Sequence, residues 1–395
     1  MERTSCQQSR NPERSDAKKH VGTRTERAGT PPAREEAPRA FPRNAPYMQQ
    51  HAAPRSLVLD YAIGVCGVWI SAGFFLDAWA HGHVPVENFF TPYHAVFYSG
   101  MLALALVIVA FGLRYHSLGF DWANAFPRPY RLALLGIPIF ALGGIGDVIW
   151  HHALGIEEGV DALLSPTHQI LGLGIFFLSS GPIRSVLSDR AHSTTLARQL
   201  PLALGLATWL ILAHFGTAYA FDPAAGRVNA PPPIVPFTPN YLTALGIGYY
   251  KIATGVLIVI FQSTLIAGFA LWLVARMHPC LGMLTILLLI GNLPAAAAFT
   301  NQSPLLAVTI AQSLITGVLA DAFVARFDPH PAFGYTRAFR TFAIAVPMTY
   351  IGVYLLGTLW SERIWWDWNV ALGSWIWSGV CGFALSLMVL ARRTA

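Results

Sequence analysis

The feature that most restricts this chain is the recurrence of apolar stretches of about 20 residues, each long enough as a helix to cross a hydrocarbon layer ~30 Å thick. Ten can be placed, near 57–80, 94–114, 132–155, 168–187, 201–221, 243–276, 280–299, 304–326, 340–361 and 369–391. Lipid offers no partner to backbone N–H and C=O groups, so such segments must satisfy them internally, as helices do. The expected fold class is all-α, a polytopic transmembrane helical bundle. The sixth stretch is too long for one straight crossing, and an interfacial segment near Tyr249, Tyr250 and Lys251 is expected before the span proper. Charge agrees with this reading. Only 12% of the 395 residues are charged, about half the share in a soluble domain.

The net charge of +6 does not point to nucleic acid, because the surplus sits in residues 1–55 and in short connections between spans. Residues 1–55 are polar, rich in Arg, Pro, Glu and Gln, and lack the apolar core of a signal peptide, so a disordered basic cytoplasmic tail is expected there. Alternate connections hold Arg114, Arg128 and Arg131; Arg184, Arg190 and Arg198; Arg276; and Arg326, Arg337 and Arg340. The opposite set holds Arg227 and Arg363, with Lys251 ambiguous. By the positive-inside rule both termini are cytoplasmic, and Trp365, Trp366 and Trp368 lie at the outer interface of a bacterial-type inner membrane. The four cysteines are far apart with no CxxC, which supports neither a disulfide framework nor a thiolate zinc site.

Two outward connections stand apart. The first carries Asp77-x3-His81, His83, Glu87 and Thr91-Pro-Tyr-His94. The second carries Asp147-x3-His151-His152, Glu157-Glu158, Asp161 and Ser165-Pro-Thr-His168. Six of the thirteen histidines fall in these two regions, which reads as an internal repeat. Residues i and i+4 share a helix face, so Asp77 points with His81 and Asp147 with His151. Proline is favourable in the first turn of a helix, which places His94 or His168 at the top of the returning span. One carboxylate and two imidazoles make a three-ligand site with open positions, acceptable to copper(II), zinc or non-haem iron(II). The metal candidates are thus Asp77, His81, His94, Asp147, His151 and His168. His83, His152, Glu87, Glu157 and Glu158 read as solvated or ligand-orienting groups, His214 and Tyr219 as packed residues near the outer side, and Asp321 as a partner of Arg326 or of water.

The stretch Asp77-x3-His81-x12-His94, with Phe90-Thr-Pro-Tyr-His94 followed by Phe97-Tyr98, resembles a metal motif of the copper-dependent membrane monooxygenases, the particulate methane and ammonia monooxygenases. In that family the motif belongs to one of the helical membrane subunits. The second copy is similar to the same subunit's next stretch, with Asp147 where the family has Asn. The resemblance covers about residues 70–175. It implies one copper site at Asp77, His81 and His94, and a neighbouring one at Asp147, His151 and a shared His94. It also implies O2 and a small apolar substrate as reactants, with Trp79, Trp150 and Tyr93 shaping the pocket, and either partner membrane subunits or a homo-oligomer. Residues 56–190 form the expected four-span metal-binding unit, and 191–395 an additional six-span region without counterpart.

Three functions fit these residues: a metal-dependent oxidase or monooxygenase or its metal-bearing subunit, a metal carrier without redox chemistry, and an assembly protein with a stabilising metal. A soluble enzyme does not fit, since no GxSxG, P-loop, GxGxxG or CxxCH sequence occurs in a supporting context.

Overall fold

The computed structural model describes residues 51–84, 91–155, 164–189, 193–217, 241–299, 305–331, 336–361 and 366–391. Within them the chain is helical and contains no strand. The helices are α1 (Leu57–His83), α2 (Pro92–Ser117), α3 (Gly136–Leu154), α4 (Pro166–Ser188), α5 (Leu196–Gly216), α6 (Tyr241–Arg276), α7 (Met283–Phe299), α8 (Leu305–Phe327), α9 (Thr336–Trp360) and α10 (Trp368–Ala391). Among the described residues nine are long and apolar enough to cross a membrane, and α7 is a shorter apolar helix. The ten expected spans therefore correspond to ten helices.

Two details differ from the expectation. The third span begins later than position 132, because Arg128–Tyr130 and Ala133–Leu135 form 3₁₀ turns ahead of α3. Pro127 and Pro129 in this stretch disfavour an earlier α-helical start. The sixth span and the segment expected before it are continuous. Together they form one unbroken helix of 36 residues, about 54 Å long, on which Tyr249 and Tyr250 are exposed.

Outward faces are apolar. On α2, Leu102, Leu106, Val109 and Leu113 form an exposed stripe, while Gly100, Leu104, Ile108 and Gly112 pack inward. In water such a continuous apolar stripe is a liability, whereas lipid solvates it. One buried cluster joins α1 to α4, through Ile63, Ile70, Phe97 and Leu171. A larger one joins the later helices, through Leu206, Leu271, Leu287 and Phe342.

Residues 1–50, which hold most of the expected tail, lie outside the described residues, but its last residues do not behave as a tail. Ala53 is buried and donates its N–H to Asn124 O at 2.7 Å. Arg55 Nε donates to Asp60 Oδ2 at 2.9 Å and Nη1 to Asp189 Oδ2 at 2.6 Å. Asp60, fully buried, also accepts from Tyr130 Oη at 2.7 Å and Ser185 Oγ at 3.0 Å. A carboxylate at this depth is costly unless paired and hydrogen-bonded, and this one has three donors from three parts of the chain. Burial disfavours the Arg55 charge, yet its bonds and attraction to Asp60 and Asp189 outweigh that and hold the guanidinium above its ordinary range.

Asp321 pairs with the start of α7 rather than with Arg326. It is buried on α8 and accepts from the backbone N–H groups of Leu284 and Thr285, each at 3.0 Å, and from Thr285 Oγ1 at 2.6 Å. It therefore caps the start of α7 from a neighbouring helix. The first N–H groups of a helix have no partner within it, and a carboxylate there also meets the positive end of the helix dipole.

Candidate metal centre

The centre is assembled in a helix hairpin, α3 packed on α4. Gly143, one turn before Asp147, abuts the residue one turn after His168: a methyl added to Gly143 would stand 2.9 Å from Leu171 N. Small residues of this kind let membrane helices approach closely, and this approach brings the α3 carboxylate to the top of α4. The first hairpin repeats the arrangement. A methyl on Gly73, one turn before Asp77, would stand 2.9 Å from Phe97 N, one turn after His94. The Gly-x3-Asp-x3-His spacing, visible in the sequence, extends the acid–histidine pattern by one helical turn.

Asp147 is buried, and its two oxygens face different imidazoles. His151 Nε2 lies 3.5 Å from Oδ2, and His168 Nε2 lies 3.3 Å from Oδ1. Thr167 donates its hydroxyl to Oδ1 at 2.7 Å and shares a further 2.8 Å hydrogen bond with Ser165 Oγ. His151 Nδ1 lies 3.3 Å from Gly155 O. A carbonyl only accepts, so Nδ1 carries the proton there, and a neutral ring then turns its Nε2 lone pair toward Asp147. The chain reaches this carbonyl by turning sharply at Gly155, whose φ of +88° is open to glycine.

One ligand atom from each of Asp147, His151 and His168 lies within 4.8 Å of the others. An ion with bonds of 2.0–2.1 Å in a tetrahedral shell separates its ligand atoms by roughly 3.3 Å. The two carboxylate–imidazole distances are close to that value, each to a different oxygen of Asp147. The donors are those of zinc, copper(II) and non-haem iron(II). The imidazole N–H on a backbone carbonyl and the hydroxyl on the carboxylate are the contacts that orient metal ligands elsewhere.

The first copy is built differently at its helix start. Thr91 Oγ1 caps α2 by accepting from His94 N at 3.2 Å, and it also lies 2.9 Å from His94 Nδ1. The same Nδ1 is 3.2 Å from Asp77 Oδ1. His81 lies on α1 at the spacing expected, but its side chain is outside the described residues. So are Glu87, Phe90, Glu157, Glu158, Asp161 and Tyr219. The resemblance places His94 with Asp147 and His151, whereas the group that comes together among the described residues takes His168 from its own hairpin. The physical reason is local, since the Ser165–Thr167 turn holds His168 beside its own aspartate.

Around these groups the walls are aromatic. Trp79 stacks on His83 with ring centroids 4.7 Å apart and meets Tyr93 edge-on at 6.4 Å. His94 stacks with Tyr98 at 6.0 Å, and Phe74, Phe97 and Phe215 pack beneath. Tyr98 feels the charges of both Asp77 and Asp147. Tyr98 and Thr167 fall inside the quoted motifs but carry no role by sequence alone. The first lies one turn beyond His94, and the second is the variable position of the Ser-Pro-x-His run. His152 is exposed, as expected of a solvated group. His214 is a packed residue, buried and bonded through Nε2 to Asn292 Oδ1 at 2.7 Å, with Asn292 Nδ2 donating to Ser313 Oγ at 2.9 Å.

Compared with protein-family models, curated proteins and solved structures, the chain gives no match.

Proposed function

We propose that this chain is a multi-pass membrane protein that binds a transition metal at Asp147, His151 and His168, and that it works as an oxidase or monooxygenase, or carries the metal for one. The observation that carries the proposal is the buried Asp147 carboxylate set between two imidazoles, with its own orientation fixed by Thr167 and that of His151 by Gly155. Copper is the metal favoured by the resemblance of residues 70–175 to a membrane monooxygenase subunit, with zinc and non-haem iron(II) compatible with the same donors. When bound, copper supplies one-electron chemistry and open positions for O2. The chain's part is to hold three ligands, leave a side open, and line it with Trp79, Tyr93, Trp150 and Tyr98, which exclude water and admit a small apolar substrate. Partner membrane subunits or further copies of this chain belong to the same proposal. The arginine distribution supports placing the site at the outer, periplasmic face.

The test is elemental analysis of the detergent-purified chain, with O2 consumption measured on the copper-loaded protein. Copper retained by the native chain and lost from Asp147→Ala and His168→Ala supports the metal site. Copper-dependent O2 uptake with an apolar substrate and an added two-electron reductant, one oxygen atom going to the substrate and the other to water, supports the oxidase reading. Native protein that retains no copper, zinc or iron after loading overturns both.

The buried run His214, Asn292 and Ser313, which links α5, α7 and α8, favours a second reading as a metal carrier. Its groups satisfy one another, which ranks it below the first. Copper or zinc uptake into proteoliposomes, abolished by changing His81, distinguishes it.

A further inference from the structure

Away from the metal hairpins, a cleft of about 340 Å³ opens between α5 and α6. Its walls are Leu206 and Trp209 on α5 and Phe261, Leu265, Phe269 and Trp272 on α6. The two helices are consecutive in the chain, yet α5 packs mainly on α1, α4 and α7 while α6 packs on α9 and α10. The polar atoms that reach the cleft are spoken for. Trp209 Nε1 donates to Phe176 O at 3.1 Å, and Thr264 Oγ1 donates to Ile260 O at 2.8 Å. What the cleft offers an occupant is hydrocarbon and aromatic surface.

Its length and its charged end identify the occupant. From Phe261 to Trp272 is eleven residues, about 16 Å along the helix, close to half of a ~30 Å hydrocarbon core. Phe261, Leu265, Phe269, Trp272 and Arg276 recur at helical spacing along one face of α6, and Arg276 lies over the Trp272 ring with its guanidinium carbon 5.5 Å from the centroid. On α5, Arg198 lies eleven residues before Trp209, which places the two on one face. Both arginines are exposed. They stand at the same end of the bundle, because Gln199 Nε2 donates to His278 O and Gln199 Oε1 accepts from Cys280 N, at 2.9 and 2.7 Å. The cleft is thus an apolar slot one leaflet long, with Arg276 over the Trp272 ring at one end and Arg198 at the same end of the bundle.

We propose that this cleft is a binding site for an anionic glycerophospholipid, one acyl chain lying between Trp209 and Trp272 and the phosphate headgroup held by Arg198 and Arg276. An aromatic ring beside a guanidinium at the headgroup level, as Trp272 is beside Arg276, and guanidinium groups on phosphate are the chemistry that recognises such a lipid.

The experiment uses the full chain in neutral detergent, stripped of lipid and then incubated in mixed micelles holding equal phosphatidylglycerol and phosphatidylcholine with matched chains. Lipid that stays with the protein through gel filtration is then counted. The native chain is expected to retain phosphatidylglycerol over phosphatidylcholine by about fivefold or more, the preference that one juxtamembrane cation confers. Arg198→Gln with Arg276→Gln should bring the ratio to parity, and Arg198→Lys with Arg276→Lys should keep an anionic preference. Gly268 lines the cleft and has no neighbouring atom within 4 Å of where a Cβ would stand. Gly268→Trp should fill the slot and reduce retention of both lipids while the chain stays folded. Equal retention by the native chain, enrichment that survives the paired Gln changes, or full retention by Gly268→Trp would each overturn the proposal. So would a dimer of the stripped protein that Gly268→Trp abolishes and lipid does not, since the cleft would then be a seam between two copies.

Discussion

Thr167 donates its hydroxyl to Asp147 Oδ1 at 2.7 Å, the oxygen that also faces His168 Nε2 at 3.3 Å. Neighbours in sequence thus act on one atom of a residue twenty positions away: the threonine orients the carboxylate and the histidine competes for it. With Oδ1 held, Oδ2 is turned to His151. The carboxylate at the centre of the candidate site is therefore oriented by a hydroxyl that is not itself one of the three candidate ligands.

Thr167→Val keeps the shape and removes that hydrogen bond. Its expected effect is a fall in metal affinity of about 10–100-fold, the usual consequence of losing an orienting group around a metal ligand. Thr167→Ser should restore most of the affinity. Competition with a chelator of known strength measures both, and native affinity in the valine variant would show that Asp147 needs no help from Thr167.

His168→Ala and His94→Ala separate the candidate group that the structure brings together from the ligand set implied by the resemblance. If Asp147 and His151 are completed by His168, His168→Ala releases the ion from this hairpin and His94→Ala leaves it in place. If His94 is the shared ligand, His94→Ala removes metal from both hairpins. Metal content per chain, measured on both variants and on the pair, decides between them.

Gly143→Leu tests whether helix approach builds the centre. The new side chain would collide with Leu171 one turn from His168, forcing α3 and α4 apart at a cost of about 1–3 kcal/mol. Metal binding should fall sharply with helical content by circular dichroism unchanged, although no ligand is altered. Retention of the metal would mean that the hairpin tops close by other means.

Much of this architecture is written in hydropathy. Ten apolar stretches become ten helices because lipid-compatible segments have essentially one way to satisfy their backbone. The acid–histidine spacing likewise brings Asp147 to His151, as i and i+4 on one face must. What cannot be read is what crosses between elements. Asp60 is visible as a carboxylate in an apolar stretch, but its donors Tyr130 and Ser185 lie 70 and 125 residues away. Local spacing offers Asp321 a partner little more than one helical turn off, yet the open N-terminal end of α7 takes it instead. His168 is a candidate from its motif alone, but its place beside Asp147 depends on Gly143 and Leu171 meeting, which is a packing fact.

The Arg55–Asp60 pair gives a stability prediction whose pH dependence can be worked out in sign. Asp60 is fully buried and Arg55 partly so, with side-chain exposures of 0% and 19%. Arg55→Met leaves the carboxylate without its cation, though Tyr130 and Ser185 still donate to it. Breaking a buried pair in this way costs about 3 kcal/mol, the lower end of the usual range because the arginine is partly solvated. The melting temperature in detergent should drop by about 5 °C or more. Against the cost of burial, its bonds and attraction to Asp60 and Asp189 hold the folded Arg55 guanidinium above its ordinary range. A cation with a raised pKa contributes stability that is complete below the unfolded value and lost only as pH climbs through the folded one. The difference between native and Arg55→Met protein should therefore be constant through the neutral range and into moderate alkali. A gap that closes between neutral and mildly alkaline buffer would show that the stabilisation comes from a group other than this guanidinium.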